Sequence, residues 1–294
     1  METISLARPT KPAIAALPLL LMLLVGSGYV ASKVALGYVG PLTLILIQFA
    51  IATVILLFVA LHSKAPWPTR RSQWAHLAVV GLLIQALQFI GLYNALDQGL
   101  STGVSVLIIG LMPVFTVLGA AFFGESVSSK QWWSLWLGLF GVALAIAATV
   151  HTDGGGWLGY QAAAFGLIGI TAGALYQRRF CVGVDLRTGG FIQLASAAAV
   201  VLPLAYAYEG MQMNPTPGLL FSSTWLALIN SIGPIALFTI LIGNDKANDV
   251  AGGFYLVPII TAVLGIVVLG ESLSLVAIIG FAMTTGALYL CTRR

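Results

Sequence analysis

Ten apolar stretches of about 20 residues each follow one another along this chain with only short polar connections between them. A helix that crosses the hydrocarbon core of a bilayer needs about 20 apolar residues, so the pattern leaves room for spanning helices and for no sizeable soluble domain. The stretches fall near residues 13–34, 41–61, 74–96, 102–123, 132–150, 157–177, 189–208, 223–243, 250–269 and 274–291. They are continuously apolar and do not alternate with period two, which predicts helices and excludes barrel strands. Within lipid each helix satisfies its own backbone hydrogen bonds. With 59% hydrophobic and 7% charged residues among 294, and a mean hydropathy of +1.01, the composition lies outside that of a water-soluble domain. The expected fold class is therefore an all-α membrane protein with ten transmembrane helices.

The basic residues orient the threading. With the N-terminus in the cytoplasm, Arg8, Lys11, Lys64, Arg70, Arg71, Lys130, Arg178, Arg179, Arg187, Lys246, Arg293 and Arg294 fall on one side, and Lys33 alone falls on the other. Cytoplasmic connections carry the excess of Lys and Arg, so both termini are expected in the cytoplasm of a multi-pass inner membrane protein. The net charge of +4 is thus an expression of topology, and such short basic clusters predict no nucleic-acid partner. The first stretch is too long for a signal-peptide core and is expected to be retained. Cys181 and Cys291 are expected as reduced thiols on the cytoplasmic side, without disulfide or metal.

One internal similarity organises the chain. Residues 113–128 read Pro-Val-Phe-Thr-Val-Leu-Gly-Ala-Ala-Phe-Phe-Gly-Glu-Ser-Val-Ser, and residues 258–274 read Pro-Ile-Ile-Thr-Ala-Val-Leu-Gly-Ile-Val-Val-Leu-Gly-Glu-Ser-Leu-Ser, with one extra residue. Each copy closes an apolar stretch and leads into the next, so a five-helix unit is written twice, over 1–150 and 151–294. Five is odd, and the two units must face opposite ways across the membrane. Inverted repeats of this kind build many secondary transporters, with the substrate near the midplane between them. Gly124 and Gly270 end helices, Ser128 and Ser274 are placed to cap the next ones, and Glu125 and Glu271 are expected to serve the same turns.

The two Pro-x-x-Thr…Gly-Glu-x-x-Ser copies, together with Gly26-Ser27-Gly28-Tyr29-Val30-Ala31-Ser32-Lys33 in the first helix, resemble the EamA-type members of the drug/metabolite transporter superfamily. Among these the chain is most similar to bacterial exporters of aromatic amino acids. The resemblance implies export of aromatic or neutral amino acids and related small metabolites by alternating access through a central cavity between the repeats. Exporters of cationic drugs, channel-like proteins and non-transporting scaffolds remain as alternatives.

Polar side chains inside a bilayer face protein or water, so they map a cavity. Gln85, Gln88, Phe89 and Tyr93 recur at helical spacing in the third stretch and are expected to line it. Their amides and rings suit a zwitterion with a bulky side chain, although the two glutamines could equally tie helices together. Tyr29, Tyr176 and Tyr255 are candidate aromatic contacts, and Lys33 is a candidate anchor for a substrate carboxylate or else a snorkelling side chain. Pro113 and Pro258 occupy matching places in the repeat and, with Gly124 and Gly270, are candidate hinge or gating positions. Gln48 and Asn230 are expected to pack. Gly138, Gly141, Gly169, Gly173, Ala282 and Gly286 are expected to bring helices close, within a monomer or between the protomers of a homodimer. His62, His76 and His151 show no metal-ligand spacing and no paired acids, so neither enzyme chemistry nor a cofactor is expected. The partners expected are a small-molecule substrate and the lipid bilayer.

Overall fold

A computed structural model of the protein describes residues 11–121, 127–149, 156–233, 237 and 256–292. Helices account for nearly all of it. In chain order they are α1 (Lys11–Leu36), α2 (Pro41–His62), α3 (Arg71–Asp97), α4 (Thr102–Gly110 continued, after a break at Leu111, by Met112–Ala121), α5 (Ser129–Thr149), α6 (Trp157–Phe180), α7 (Leu186–Glu209), α8 (Pro217–Ile232), α9 (Val257–Leu269) and α10 (Leu275–Thr292). The first seven contain stretches long and apolar enough to cross a bilayer, while α8, α9 and α10 are shorter apolar helices. Large apolar side chains face outward, among them Phe58, Phe165, Phe221 and Val267, the last 75% exposed. A soluble surface would not carry so much apolar area, and a lipid-facing one requires it.

Helix ends follow local chemistry. Pro41 and Pro217 stand in the first turns of their helices, where a missing N–H costs nothing. Ser274 accepts from the Ala277 N–H at the start of α10, and Gly270 closes α9 at φ +68°, in the left-handed region that favours glycine. α8 begins six residues before the predicted boundary because Thr216 caps it by accepting from the Leu219 N–H.

Packing joins α2 to α7, α5 to α10, α3 to α6 and α7, α4 to α6, α1 to α8 and α9, and α2 to α8. The α1 glycines have a role in this. A side chain at Gly28 would overlap the Asn230 carboxamide of α8, and Gly26 sits against Thr261 of α9. The expected small-residue stripe holds in part. Gly138 and Gly141 of α5 meet α10, and Gly169 and Gly173 of α6 meet α3, but Gly286 faces open space and Ala282 is exposed, Gly280 and Thr284 being the α10 residues that meet Gly141.

Two helices leave the α-helical repeat for a π-helical one. Gly81–Leu87 within α3 and Trp225–Ile232 within α8 bond i to i+5, which widens the backbone and resets the face presented beyond it. These are the third and eighth helices, five apart in chain order.

The two ends of the bundle differ. At one, α2 hands over to α3 beside the start of α7, with Thr188 Oγ1 donating to Pro66 O at 2.9 Å and Trp67 edge-on to Phe191. Arg70, Arg71, Arg178, Arg179 and Arg187 cluster at this basic end. At the other, the α1–α2 and α7–α8 connections meet through a Val39–Met213 bridge.

A cavity between four helices and a double carboxylate cap

A cavity of about 360 Å³ enters from the basic end between α3, α6, α7 and α8. Its mouth is the α6–α7 connection, Cys181, Val184 and Asp185. Its walls are Leu77, Ile84, Gln85 and Phe89 of α3, Gln177 of α6, Gly189, Gly190, Gln193 and Leu194 of α7, and Asn230 and Ser231 of α8. Both π-helical segments contribute, Gln85 from one and Asn230 with Ser231 from the other. At the mouth Asp185 is clasped by the Arg187 guanidinium at 3.0 and 2.7 Å, which holds its carboxyl below the usual range.

The inner limit of the cavity is a hydrogen-bonded relay. Tyr93 O–H donates to Gln48 Oε1, and Gln48 Nε2 donates to Ser231 Oγ at 3.0 Å, joining α3, α2 and α8. Phe89 stands edge-on to Phe49 at 5.3 Å and to Tyr93 at 5.5 Å, closing the space around the relay. Gln48 is fully buried, so a missing donor there would leave an unpaired acceptor, at a cost of about 1–3 kcal/mol. Tyr93→Phe is accordingly expected to lower stability by about 1–2 kcal/mol, read as an earlier thermal unfolding midpoint, whereas Gln48→Leu with Tyr93→Phe should cost less than the two single changes summed.

At the opposite end two carboxylates each cap a helix of another segment. Glu209, at the end of α7, accepts from the Leu42 and Thr43 N–H groups at 2.8 Å each and from Thr43 Oγ1 at 2.6 Å, and so caps α2. Glu271 accepts from Thr102 N–H at 2.9 Å and from Thr102 Oγ1 at 2.7 Å, and so caps α4. Lys33 completes the second cluster, donating to Leu100 O at 2.6 Å with its Nζ 3.6 Å from Glu271 Oε1. A carboxylate at a helix N-terminus meets free N–H groups and the positive end of the helix dipole. Both carboxylates thus tie distant segments together at this capped end.

The candidates named from sequence divide accordingly. Gln85 and Phe89 line the cavity, and Tyr93 lies behind it in the relay. Gln88 is buried outside the lining, its backbone packed on Gly166 and Gly169 of α6, because the π-helical turns before it shift the face. Lys33 is engaged with Glu271 and Leu100, away from the cavity. Tyr29 is half-buried in the apolar core of α1, and Tyr176 bonds to His76 Nδ1 at 2.8 Å and packs on Phe180. His62 stacks on Phe58. Pro113 lies just beyond the break in α4, whereas Pro258 stands in the first turn of α9 instead of bending a helix interior. Tyr255, Gly124, Glu125 and His151 lie outside the described residues. Sequence reasoning missed Gln177, the last residue of its predicted stretch beside two arginines, and Gln193, whose neighbours at helical spacing are glycine, alanine and one serine.

Residues 12–147 match the model of the EamA-like transporter family. Over nearly the whole length the chain is similar to proteins described as membrane transporters. An uncharacterized inner membrane transporter of Escherichia coli, YedA, is 26% identical over 91% of this chain and 86% of its own. A probable amino-acid metabolite efflux pump of Salmonella typhimurium is 26% identical over 93% of each chain. A protein of known crystal structure, 20% identical, superposes over 96% of both chains with a TM-score of 0.65, a likeness of fold. The chain is thus similar to membrane transporters over nearly its whole length, and to the EamA-like family over residues 12–147.

Proposed function

We propose that the protein exports small metabolites of the amino-acid kind across the inner membrane by alternating access, with ten helices crossing the bilayer as two inverted five-helix repeats. The carrying observation is the cavity itself, entered from the basic end and bounded among the described residues by the Tyr93–Gln48–Ser231 relay, with the carboxylate caps at the far end. A pore would be continuous, and a scaffold would need no polar-lined cavity. The positive-inside rule makes the basic end cytoplasmic, so this conformation faces inward, as an exporter must to load its substrate.

The repeat is supported by the packing. Advancing every helix number by five turns the α3–α6 pair into α8–α1, α4–α6 into α9–α1 and α3–α7 into α8–α2, and leaves α2–α7 and α5–α10 unchanged. All of these contacts are present, and the two π-helical segments exchange under the same operation. The amino-acid class is supported by the relatives described as amino-acid metabolite efflux pumps and by the cavity's amides beside an aromatic wall.

Counterflow in proteoliposomes against labelled amino acids and cationic drugs, with and without a pH gradient, tests the proposal. Saturable exchange of amino acids is expected, falling about tenfold or more in a Gln85→Ala, Gln193→Ala variant that still inserts. Non-saturable flux, or unchanged kinetics in the variant, would contradict it.

A further inference from the structure

We propose that the cavity selects solutes of no net charge, and that the carboxamides of Gln85, Gln177 and Gln193 are the groups that bind them. This rests on the carrier reading above and adds to it both the ligands and a charge rule.

Among the described residues, several interior amides are already bonded. Gln48 is bonded to Tyr93 and Ser231, Asn230 donates to Leu24 O and Val25 O at 3.2 and 3.3 Å, and Asn94 donates to Ile90 O at 2.7 Å. Gln85, Gln177 and Gln193 come from three helices to one cavity, and none has a side-chain hydrogen-bond partner among the described residues. Gln193 is only 9% exposed, and the space beside it is the cavity. Buried polar groups are almost always paired. Those left open beside a cavity are paired by what enters it, and a site so built rejects solutes that leave its groups unmet.

The same lining carries no counter-ion for a charged solute. Among the described residues its ionisable side chains are Asp185 and Cys181, both at the mouth, and Asp185 is already held by two bonds from Arg187. Lys33, the basic residue nearest the capped end, is engaged with Glu271 and Leu100. A net charge brought here leaves water without compensation. Each carboxamide, in contrast, offers two donors and an acceptor oxygen, so three of them can meet both ends of a zwitterion or the polar groups of a neutral solute, while Leu77, Ile84 and Phe89 cover its apolar part.

Equilibrium binding to the purified protein at neutral pH tests this with three labelled probes of similar size: phenylalanine as zwitterion, 2-phenylethylamine as cation and 3-phenylpropionate as anion. Phenylalanine is expected to bind at least about tenfold more tightly than either ion. Gln193→Glu should shift the amine-to-phenylalanine preference by about tenfold or more toward the amine, and Gln177→Glu, nearer the mouth, should shift it the same way by less. Equal affinity of either ion and phenylalanine for the unaltered protein, an unchanged preference in both variants, or binding of none of the probes would overturn the proposal. Charge-selective binding without counterflow would keep this site and remove the carrier, whereas counterflow without charge discrimination would keep the carrier and remove this site.

Discussion

Replacing Glu271 by alanine is expected to open the capped end. The carboxylate accepts two bonds from Thr102 and neutralises Lys33, and its own side chain is 14% exposed. Its loss leaves the Thr102 N–H at the start of α4 without an acceptor, although Ser101 still accepts from Val104, and leaves the Lys33 ammonium without a counter-ion. Hydrogen bonds to a charged acceptor contribute about 1.5–3 kcal/mol, and part of the loss is recovered because Lys33 can turn toward water. A net change of about 2 kcal/mol moves a two-state equilibrium by roughly 30-fold. The closed end should therefore lose its dominance, seen as faster modification of a cysteine placed at Thr43 or Leu100 from the side of that end. Glu271→Gln keeps one acceptor for the Thr102 N–H and should produce a smaller shift. If Glu271→Ala leaves those accessibilities unchanged, the cluster is a helix cap with no part in closure.

Substitution of Gly91 by alanine should force apart two helices that carry the wall of the cavity. Here α3 and α6 touch backbone to backbone, and a Cβ at Gly91 would overlap Gly166 N and lie 2.5 Å from Ala162 O. Neither atom can rotate away, so the helices must part, at a cost of about 1–3 kcal/mol or more. Parting them also displaces Gln85 and Gln177, which sit on these two helices, so the transport rate should fall along with the unfolding midpoint. Gly286→Ala is the matched control. Nothing lies within 4 Å of that position, and the change should stay within about 0.5 kcal/mol of neutral. Equal effects of the two substitutions would mean that the α3–α6 contact is not a tight one.

What could be read from the sequence was what repeats or periodicity encode. The apolar stretches gave most helix ends to within a few residues, and duplicated Gly-Glu-Ser turns located Gly270 and the Ser274 cap. The start of α8 was equally written, in Thr216-Pro217, a capping residue followed by a proline at the first helical position, but hydropathy averaging hides such a signal. The partners of the carboxylates were out of reach. Glu209 caps a helix 166 residues away and Glu271 one 169 residues away, and no local pattern announces a long-range cap. The cavity was half legible. Gln85 and Phe89 stand out as polar and aromatic residues at helical spacing, but the α-helical period assumed for α3 carried Gln88 with them, and the π-helical turns at Gly81–Leu87 break that period. Gln193 lies in an alanine-rich helix, and only the fold brings it to the same cavity as Gln85.

The central claim is one cavity, reached from one side at a time. It is tested most directly by Gln193→Cys in a Cys181→Ser, Cys291→Ser background, labelled with a membrane-impermeant maleimide from each side of oriented vesicles. Labelling from the side of the basic loops alone is predicted, with labelling from the opposite side gained when Glu271→Ala is added. Equal labelling from both sides without that change, or from neither, would contradict the account.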